Sequence, residues 1–285
     1  MKTITNSVAL HRRRKGMKTL KLVLTYLMLL LIAVVCAGPF LWMLSASFKS
    51  GQNIYDLSLL PTSPTMENYL GVWNFLSVPQ YLLNTVIMTV ASIALDVVFS
   101  ALCAYPLACM KFKGRDAILS LLIASMIIPA AAGMVINYLT ISSMHLLNTL
   151  TGAIIPGAVK VFSIILLRQA YLGVPKELIE AARIDGAREM RIWGQIMVPG
   201  ILPTISTVVI FDFIGKWNEF LWPVIVLQDP AKYPLATALQ YLNGSFNYKF
   251  GYIAAGAIIS IIPVIIVFVL CQKNYIEAVS GAIKG

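Results

Sequence analysis

The chain has 285 residues, of which 59% are hydrophobic and only 12% charged, and its mean hydropathy is +0.81. A soluble domain averages about 25% charged residues, so this composition excludes an ordinary water-soluble globule. It predicts an all-α, polytopic membrane protein. The net charge of +10 would suit nucleic acid, but the places where the charges fall point to membrane topology instead.

Residues 1–21 carry Arg12, Arg13, Arg14, Lys15, Lys18 and Lys21, and no charge follows until Lys49. That apolar run is far longer than the ~7–15 residues of a signal-peptide core. Val35-Cys36 is a poor lipoprotein site, because the residue before the cysteine is not small. We therefore expect a retained first span at 22–46 after a cytoplasmic segment at 1–21. Residues 47–80, with Pro61, Pro64 and Pro79, read as an ordered external loop. A second span fits 81–109 and is interrupted by one charge, Asp96. Lys111, Lys113 and Arg115 form a short basic turn.

No charge appears between Asp116 and Lys160, an interval too long for one span. Asn137, His145 and Asn148-Thr149 mark a turn within it, giving spans at 117–139 and 151–169. Pro129 should kink the first, and Pro156 enters the second. A charged loop follows at 172–199. A fifth span at 200–227 carries Asp212, Lys216 and Glu219, with Pro223 near its outer end. Residues 228–250 read as an external loop. The sixth span runs over 251–271, closing a permease domain at 22–271, and a cytoplasmic tail occupies 272–285.

Six spans put both termini on one side. Lys and Arg number 22, and seventeen of them lie in the N-terminal segment, the 111–115 turn, the 168–191 region and the tail. Lys49, Lys232 and Lys249 lie on the other side, and Lys160 and Lys216 fall within spans. This bias places both termini and the 172–199 loop in the cytoplasm. Nucleic-acid binding is then not needed to explain the basic charge. The four cysteines, Cys36, Cys103, Cys109 and Cys271, lie in or beside apolar runs and read as small packing residues. No Cys/His cluster suggests a metal.

The longest charged stretch between spans is Lys176 to Pro199. On a helix, Glu177, Glu180, Ala181, Ile184 and Arg188 share one face. Ala181 and Ala182 are small enough for another surface to approach closely. Gly186 breaks or ends the helix, and Pro199 marks the restart of an apolar segment. From spacing alone this could equally be a solvated amphipathic loop. The order Glu180-Ala181-Ala182, three residues, Gly186, nine residues, Ile196-Met197-Val198-Pro199 resembles the EAA loop of ABC importer permeases. One departure is Val198, where that family usually has Leu. The resemblance implies a cytoplasmic coupling helix that docks on an ATPase subunit, with Glu180, Ala181, Ala182, Asp185 and Gly186 at the coupling site.

Other stretches carry the resemblance further. Leu146-Leu147-Asn148-Thr149 resembles the turn between spans three and four of sugar-type permeases. Trp217-Asn218-Glu219-Phe220-Leu221-Trp222-Pro223 resembles a segment of their fifth span, and Ser280-Gly281-Ala282-Ile283-Lys284-Gly285 is similar to their terminus. The chain thus looks like the smaller six-span permease of carbohydrate importers, such as that of the maltose transporter. That implies a type I importer fold in a bacterial cytoplasmic membrane. It also implies as partners a second homologous permease, two ATP-binding subunits and an extracytoplasmic solute-binding protein.

No G-x-x-x-x-G-K-[ST] phosphate loop occurs. The chain is therefore expected to be a transport subunit without its own ATPase site. It should bind no cofactor, with ATP and Mg on the partner subunits. A secondary carrier would also suit the intramembrane charges, but no internal inverted repeat is visible. A membrane enzyme lacks support, since there is no H-E-x-x-H and no G-x-S-x-G.

Asp212, Lys216 and Glu219 at i, i+4 and i+7 would share a helix face. They read either as a self-neutralising packed stripe or, with Lys160, Trp217 and Asn218, as a lining of the translocation path. Lys160 should lie midway along the fourth span. An unpaired ammonium there would cost on the order of 2.5–3.5 kcal/mol. It should therefore meet Asp96, Asp212 or Glu219, with Asp212 or Glu219 favoured, or an anionic substrate.

Overall fold

The computed structural model describes residues 2–50, 56, 58–245 and 250–283, and within these the side chains of 2–17, 19, 130, 241–245 and 271–283 are left aside. Parts of the charge asymmetry (Arg12 to Lys15, Lys249, Lys273, Lys284) and the 280–285 terminus fall there. The described residues are helical, without strands. The helices are α1 (Lys2–Ser47), α2 (Glu67–Phe75), α3 (Val78–Cys109), α4 (Arg115–Ser125), α5 (Ala130–Ser143), α6 (Leu150–Ile154), α7 (Val161–Leu172), α8 (Lys176–Ile184), α9 (Glu189–Ile192), α10 (Val198–Gly200), α11 (Leu202–Trp217), α12 (Leu221–Val226), α13 (Leu235–Ser245) and α14 (Phe250–Ile283).

Among the described residues three helical stretches, Leu20–Ser47, Val78–Cys109 and Phe250–Leu270, are each long and apolar enough to cross a membrane. Two bent pairs would raise the number to five. The first pair, Leu150–Gly157 with Val161–Leu172, bends by 48°, and the second, Glu189–Gly200 with Leu202–Trp217, by 76°. The segment expected at 117–139 is divided at Pro129 into α4 and α5. Proline cannot donate the helix hydrogen bond, and it disfavours helical backbone in the residue before it.

Several boundaries differ from those expected. Helix α1 runs without interruption through residues 2–47 and α14 continues to Ile283, so what is described of the segments expected before the first span and after the sixth is helical. Nothing in either stretch stops a helix, because the charged side chains there are good helix formers. The loops expected at 47–80 and 228–250 contain α2 and α13. The cysteines also depart from a packing role: Cys36 and Cys103 are exposed on their helices and Cys109 is half-buried. The side chain of Cys271 lies outside the described residues.

The chain divides into two units, one of residues 1–71 and 249–258, the other of 72–248 and 259–285. In the first, Lys49 is buried, and its ammonium donates to the carbonyls of Asp56 and Ser58 at 2.7 and 2.6 Å. Asn68 Nδ2 donates to the carbonyls of Ser47 and Lys49, which holds the end of α1 against α2.

The second unit is built around α3. One seam of this helix is polar and buried: Thr85, Thr89, Ser92, Asp96 and Ser100, at spacings of three and four. Beside it Ala101, Ala104 and Ala108 form a small-residue ridge. Small residues let helix backbones approach closely in lipid, where no hydrophobic driving force brings helices together. Helix α7 packs against this ridge through Ile164, Leu167 and Tyr171. Tyr105 and Tyr171 meet edge-on at 5.8 Å between ring centroids.

The turn after α5 forms where it was expected. His145 and Asn148 adopt positive φ, and Asn148 Oδ1 accepts from the backbone N–H groups of Gln228 and Asp229. The Leu146–Thr149 turn is thereby fastened to the segment after α12.

Candidate functional site

Two places in the second unit carry the candidate residues. The first is the loop at 172–199. Helix α8 is amphipathic: Ile179 and Ala182 turn into the core, packed with Leu167, Tyr171, Ile192 and Met197. Glu177, Glu180, Ala181 and Asp185 are exposed, and Ile184 is 86% exposed. Ala182 is therefore not available to an approaching surface, contrary to the expectation for both alanines. It sits one position round the helix from Ala181, on the inner face. Arg188 also leaves the expected face, because α8 ends at Ile184 and Arg188 precedes α9.

The helix ends in a Schellman arrangement. Gly186 has φ 78°, its N–H donates to the Arg183 carbonyl, and the Ala187 N–H donates to the Ala182 carbonyl. The left-handed conformation at this position is what glycine supplies without steric cost. Further along, Trp193–Met197 forms a wide π turn, with the Val198 N–H donating to the Trp193 carbonyl. Pro199 explains it: a proline ring would clash with the carbonyl four residues back, and widening the turn relieves that clash. The same turn drives Met197 into the core, where it is fully buried.

Two hydrogen-bonded bridges join the loop to the spans. Glu189 Oε2 accepts from the Tyr105 hydroxyl at 2.6 Å, and Glu189 Oε1 is 2.9 Å from Arg183 Nη2. Trp193 Nε1 donates to the Tyr171 hydroxyl at 3.0 Å. The Arg183 guanidinium, with help from Tyr105, holds the Glu189 carboxyl below the usual carboxylate range. A carboxyl lowered on folding adds stability above its unfolded value, and that stability is lost as pH falls through the folded value. Both partners are more than a third exposed, so the contribution is ~1 kcal/mol at most. Glu189→Gln is expected to remove this acid sensitivity. Hydrogen exchange over residues 176–192 should become faster at neutral pH in the variant and unchanged at low pH. Equal exchange in both proteins at neutral pH would refute the bridge.

The second place lies where α3, α7 and α11 meet. Lys160 was expected in mid-helix. Instead it has extended backbone, φ −115° and ψ 130°, in the break before α7. The tight turn Ile155–Gly157 ends the preceding helix, and Gly157 leaves room for the Lys216 side chain, which a Cβ there would strike. Two carboxylates hold the break. Asp96 Oδ1 accepts from the Lys160 backbone N–H at 2.7 Å and from Ser100 at 2.8 Å, while its Oδ2 accepts from Ser163 at 2.6 Å. The Lys160 ammonium pairs with Asp212 on α11.

Asp212, Lys216 and Glu219 do not make one stripe. Glu219 lies beyond the end of α11, and Lys216 Nζ reaches it at 2.8 Å. Helix α11 stops at Trp217 and α12 restarts at Leu221 with Pro223 in its first turn, the place a helix tolerates proline. Trp217 is also displaced from its expected role. It is buried, stacks on Phe213 and donates from Nε1 to the Ser260 carbonyl. Asn218, whose Nδ2 donates to the Ile214 carbonyl, joins Lys160, Lys216 and Glu219 on an open cleft of about 390 Å³.

Sequence reasoning missed Ser100, Ser163, Tyr105, Arg183 and Glu189. The spacing of Thr85, Thr89, Ser92, Asp96 and Ser100 in an apolar run was a signal for the first of these. The Tyr105–Glu189 pair is separated by 84 residues and had no local signal.

The comparisons agree with this architecture. Residues 96–279 match the family model described as the binding-protein-dependent transport system inner membrane component. The chain is 34% identical over 264 residues to the probable ABC transporter permease protein YurM of Bacillus subtilis (strain 168), covering 91% of this chain and 87% of the relative. It is 31% identical to the diacetylchitobiose uptake system permease protein NgcG of Streptomyces coelicolor (strain ATCC BAA-471 / A3(2) / M145), covering 90% and 87%. It is 32% identical to the melibiose/raffinose/stachyose import permease protein MelC of Bacillus subtilis (strain 168), covering 90% and 95%. Among solved structures, a chain of a bacterial ABC transporter involved in import of the acidic polysaccharide alginate superposes with a TM-score of 0.80 at 26% identity, covering 88% of this chain and 95% of the other. With the helical spans, the Gly186 turn and the Pro199 π turn all in place, the chain belongs to the binding-protein-dependent transport system inner membrane components, the permeases of ABC importers.

Proposed function

We propose that this chain is one permease subunit of an ATP-driven importer of a sugar or oligosaccharide. Its six spans would be those expected at 22–46, 81–109, 117–139, 151–169, 200–227 and 251–271, the third of them the α4–α5 segment. Both termini and the 172–199 loop face the cytoplasm. The observation that carries the reading is the exposed face of α8, with Glu180, Ala181 and Ile184 outward on a helix anchored from behind by Ile179 and Ala182. Such a face suits docking on an ATPase subunit, and the Glu189 and Trp193 bridges suit passing the motion to α3 and α7.

A second homologous permease, two ATP-binding subunits and an extracytoplasmic solute-binding protein complete the machine, with ATP and Mg held by the ATP-binding subunits. The substrate class is supported by relatives named for diacetylchitobiose and for melibiose, raffinose and stachyose. It is supported too by the charge balance of the cleft. Lys160 is matched by Asp212, and Lys216 by Glu219, so the lining offers hydrogen-bond groups without a surplus cation. That favours a neutral saccharide over an anionic one.

The purified chain alone is expected to hydrolyse no ATP and to transport no sugar in liposomes. Proteoliposomes holding the full complex, its binding protein and ATP should accumulate a sugar chosen by testing the binding protein against a saccharide panel. ATP hydrolysis by the isolated chain, or uptake without ATPase subunits, would refute the assignment.

A further inference from the structure

We propose that the cleft at the root of the 172–199 loop binds the phosphate of an anionic glycerophospholipid. The cleft has a volume of about 600 Å³. Its rim carries Lys111, Arg115, Lys176 and Arg183, against one lining acid, Glu180. Arg115 engages Asp116 and Arg183 engages Glu189. Lys111 and Lys176 form no ion pair among the described residues. Lys111 lies in the turn after α3, Arg115 opens α4, and Lys176 and Arg183 stand at the two ends of α8. All four line the same cleft, together with Cys109. A phosphate matches this set, with compact ammonium charges beside the planar donor fork of an arginine.

The walls decide the source of the phosphate. Met110, Leu172, Val174 and Ile179 line the same cleft. Met110 and Leu172 stand at the ends of α3 and α7, Val174 follows α7, and Ile179 is on the inner face of α8. A free phosphate has no use for such walls, whereas the glycerol and first acyl carbons of a lipid do. Basic pockets between spans at the cytoplasmic face recognise anionic headgroups in this way. A headgroup seated here fixes the base of α8 to the membrane surface and leaves Ala181 and Ile184 on its outward face free.

The inference rests on the cytoplasmic placement of the loop. That placement is tested separately, by labelling Asp185→Cys with a membrane-impermeant maleimide in intact and in permeabilised cells. The lipid test uses the purified full complex in phosphatidylcholine nanodiscs containing photoactivatable phosphatidylglycerol. Crosslinks are expected on peptides spanning 108–115 and 171–183. Lys111→Gln with Lys176→Gln should raise the half-saturating phosphatidylglycerol by roughly a hundredfold, from the loss of two charge-assisted hydrogen bonds to one phosphate. Lys18→Gln with Lys113→Gln removes the same charge away from the cleft and should shift it far less.

Four results would overturn the proposal. The first is equal shifts in both pairs, which means diffuse surface attraction. The second is no label at the cleft. The third is loss of label when glycerol phosphate is added in solution, which assigns the cleft to a soluble anion. The fourth is label on the isolated chain that disappears when ATPase subunits are added, which assigns the cleft to a protein partner.

Discussion

Lys160→Met is expected to lower the yield and thermal stability of the assembled complex, and Lys160→Met with Asp212→Asn to restore most of both. The single change strands Asp212, whose side chain is 4% exposed. Removing one partner of a buried pair costs about 3–5 kcal/mol. The Lys160 side chain is one-third exposed, so the low end of that range applies here. The double change removes both charges, and a neutral pair of similar volume is nearly neutral in stability. Size-exclusion yield and the midpoint of thermal aggregation in detergent read the effect.

Glu219 is the internal control. It pairs with Lys216 rather than with Lys160, so Lys160→Met with Glu219→Gln should not rescue. Should Lys160→Met assemble normally and lose uptake, with no rescue by Asp212→Asn, the lysine serves an anionic substrate and the structural pairing is refuted.

Gly186→Pro is expected to abolish uptake in a protein that still reaches the membrane. Proline fixes φ near −65°, whereas Gly186 sits at +78°. It also removes the N–H that donates to the Arg183 carbonyl. The Schellman turn cannot form, and α8 loses the stop that sets the position of Ala187 and α9. The spans lie outside this turn and should still fold. Glu180→Lys, which inverts a charge on the exposed face without touching the turn, should also abolish uptake. The measurement is ATP-dependent sugar uptake in proteoliposomes alongside ATPase activity, with membrane insertion checked by immunoblot. Uptake at the wild-type rate by either variant would refute the docking role of α8.

The loop was legible in the sequence because its requirements are local. A left-handed cap needs glycine, and a helix with one face in the core and the other exposed shows that division in its spacing. Even so, which of Ala181 and Ala182 faces outward depends on where Ile179 is anchored, and that is a tertiary fact. The pairing of Lys160 was legible from cost alone, since a lone ammonium in lipid demands a partner. Its position in a helix break was not. Pro156-Gly157 is compatible with either a helix start or a helix end, and the choice is made by Asp96 and Lys216 from elsewhere in the chain. Trp217 misled for a similar reason. An aromatic beside Asn218 suits a sugar path equally well, but the Ser260 carbonyl and Phe213 draw it into the core.

The separation between Asp96, Lys160 and Asp212 has a consequence for biosynthesis. Asp96 enters the bilayer on α3 before its partners exist. The Lys160 backbone lies 64 residues later, and Asp212 another 52 residues beyond Lys160. At roughly 5–20 residues per second, each interval lasts several seconds. During the first, a carboxyl sits in the membrane held only by Ser100 one turn away. During the second, an ammonium waits for its counter-ion. The nascent chain therefore passes through two stages in which a charge marks it as incomplete. Only the arrival of α11 cancels the last one.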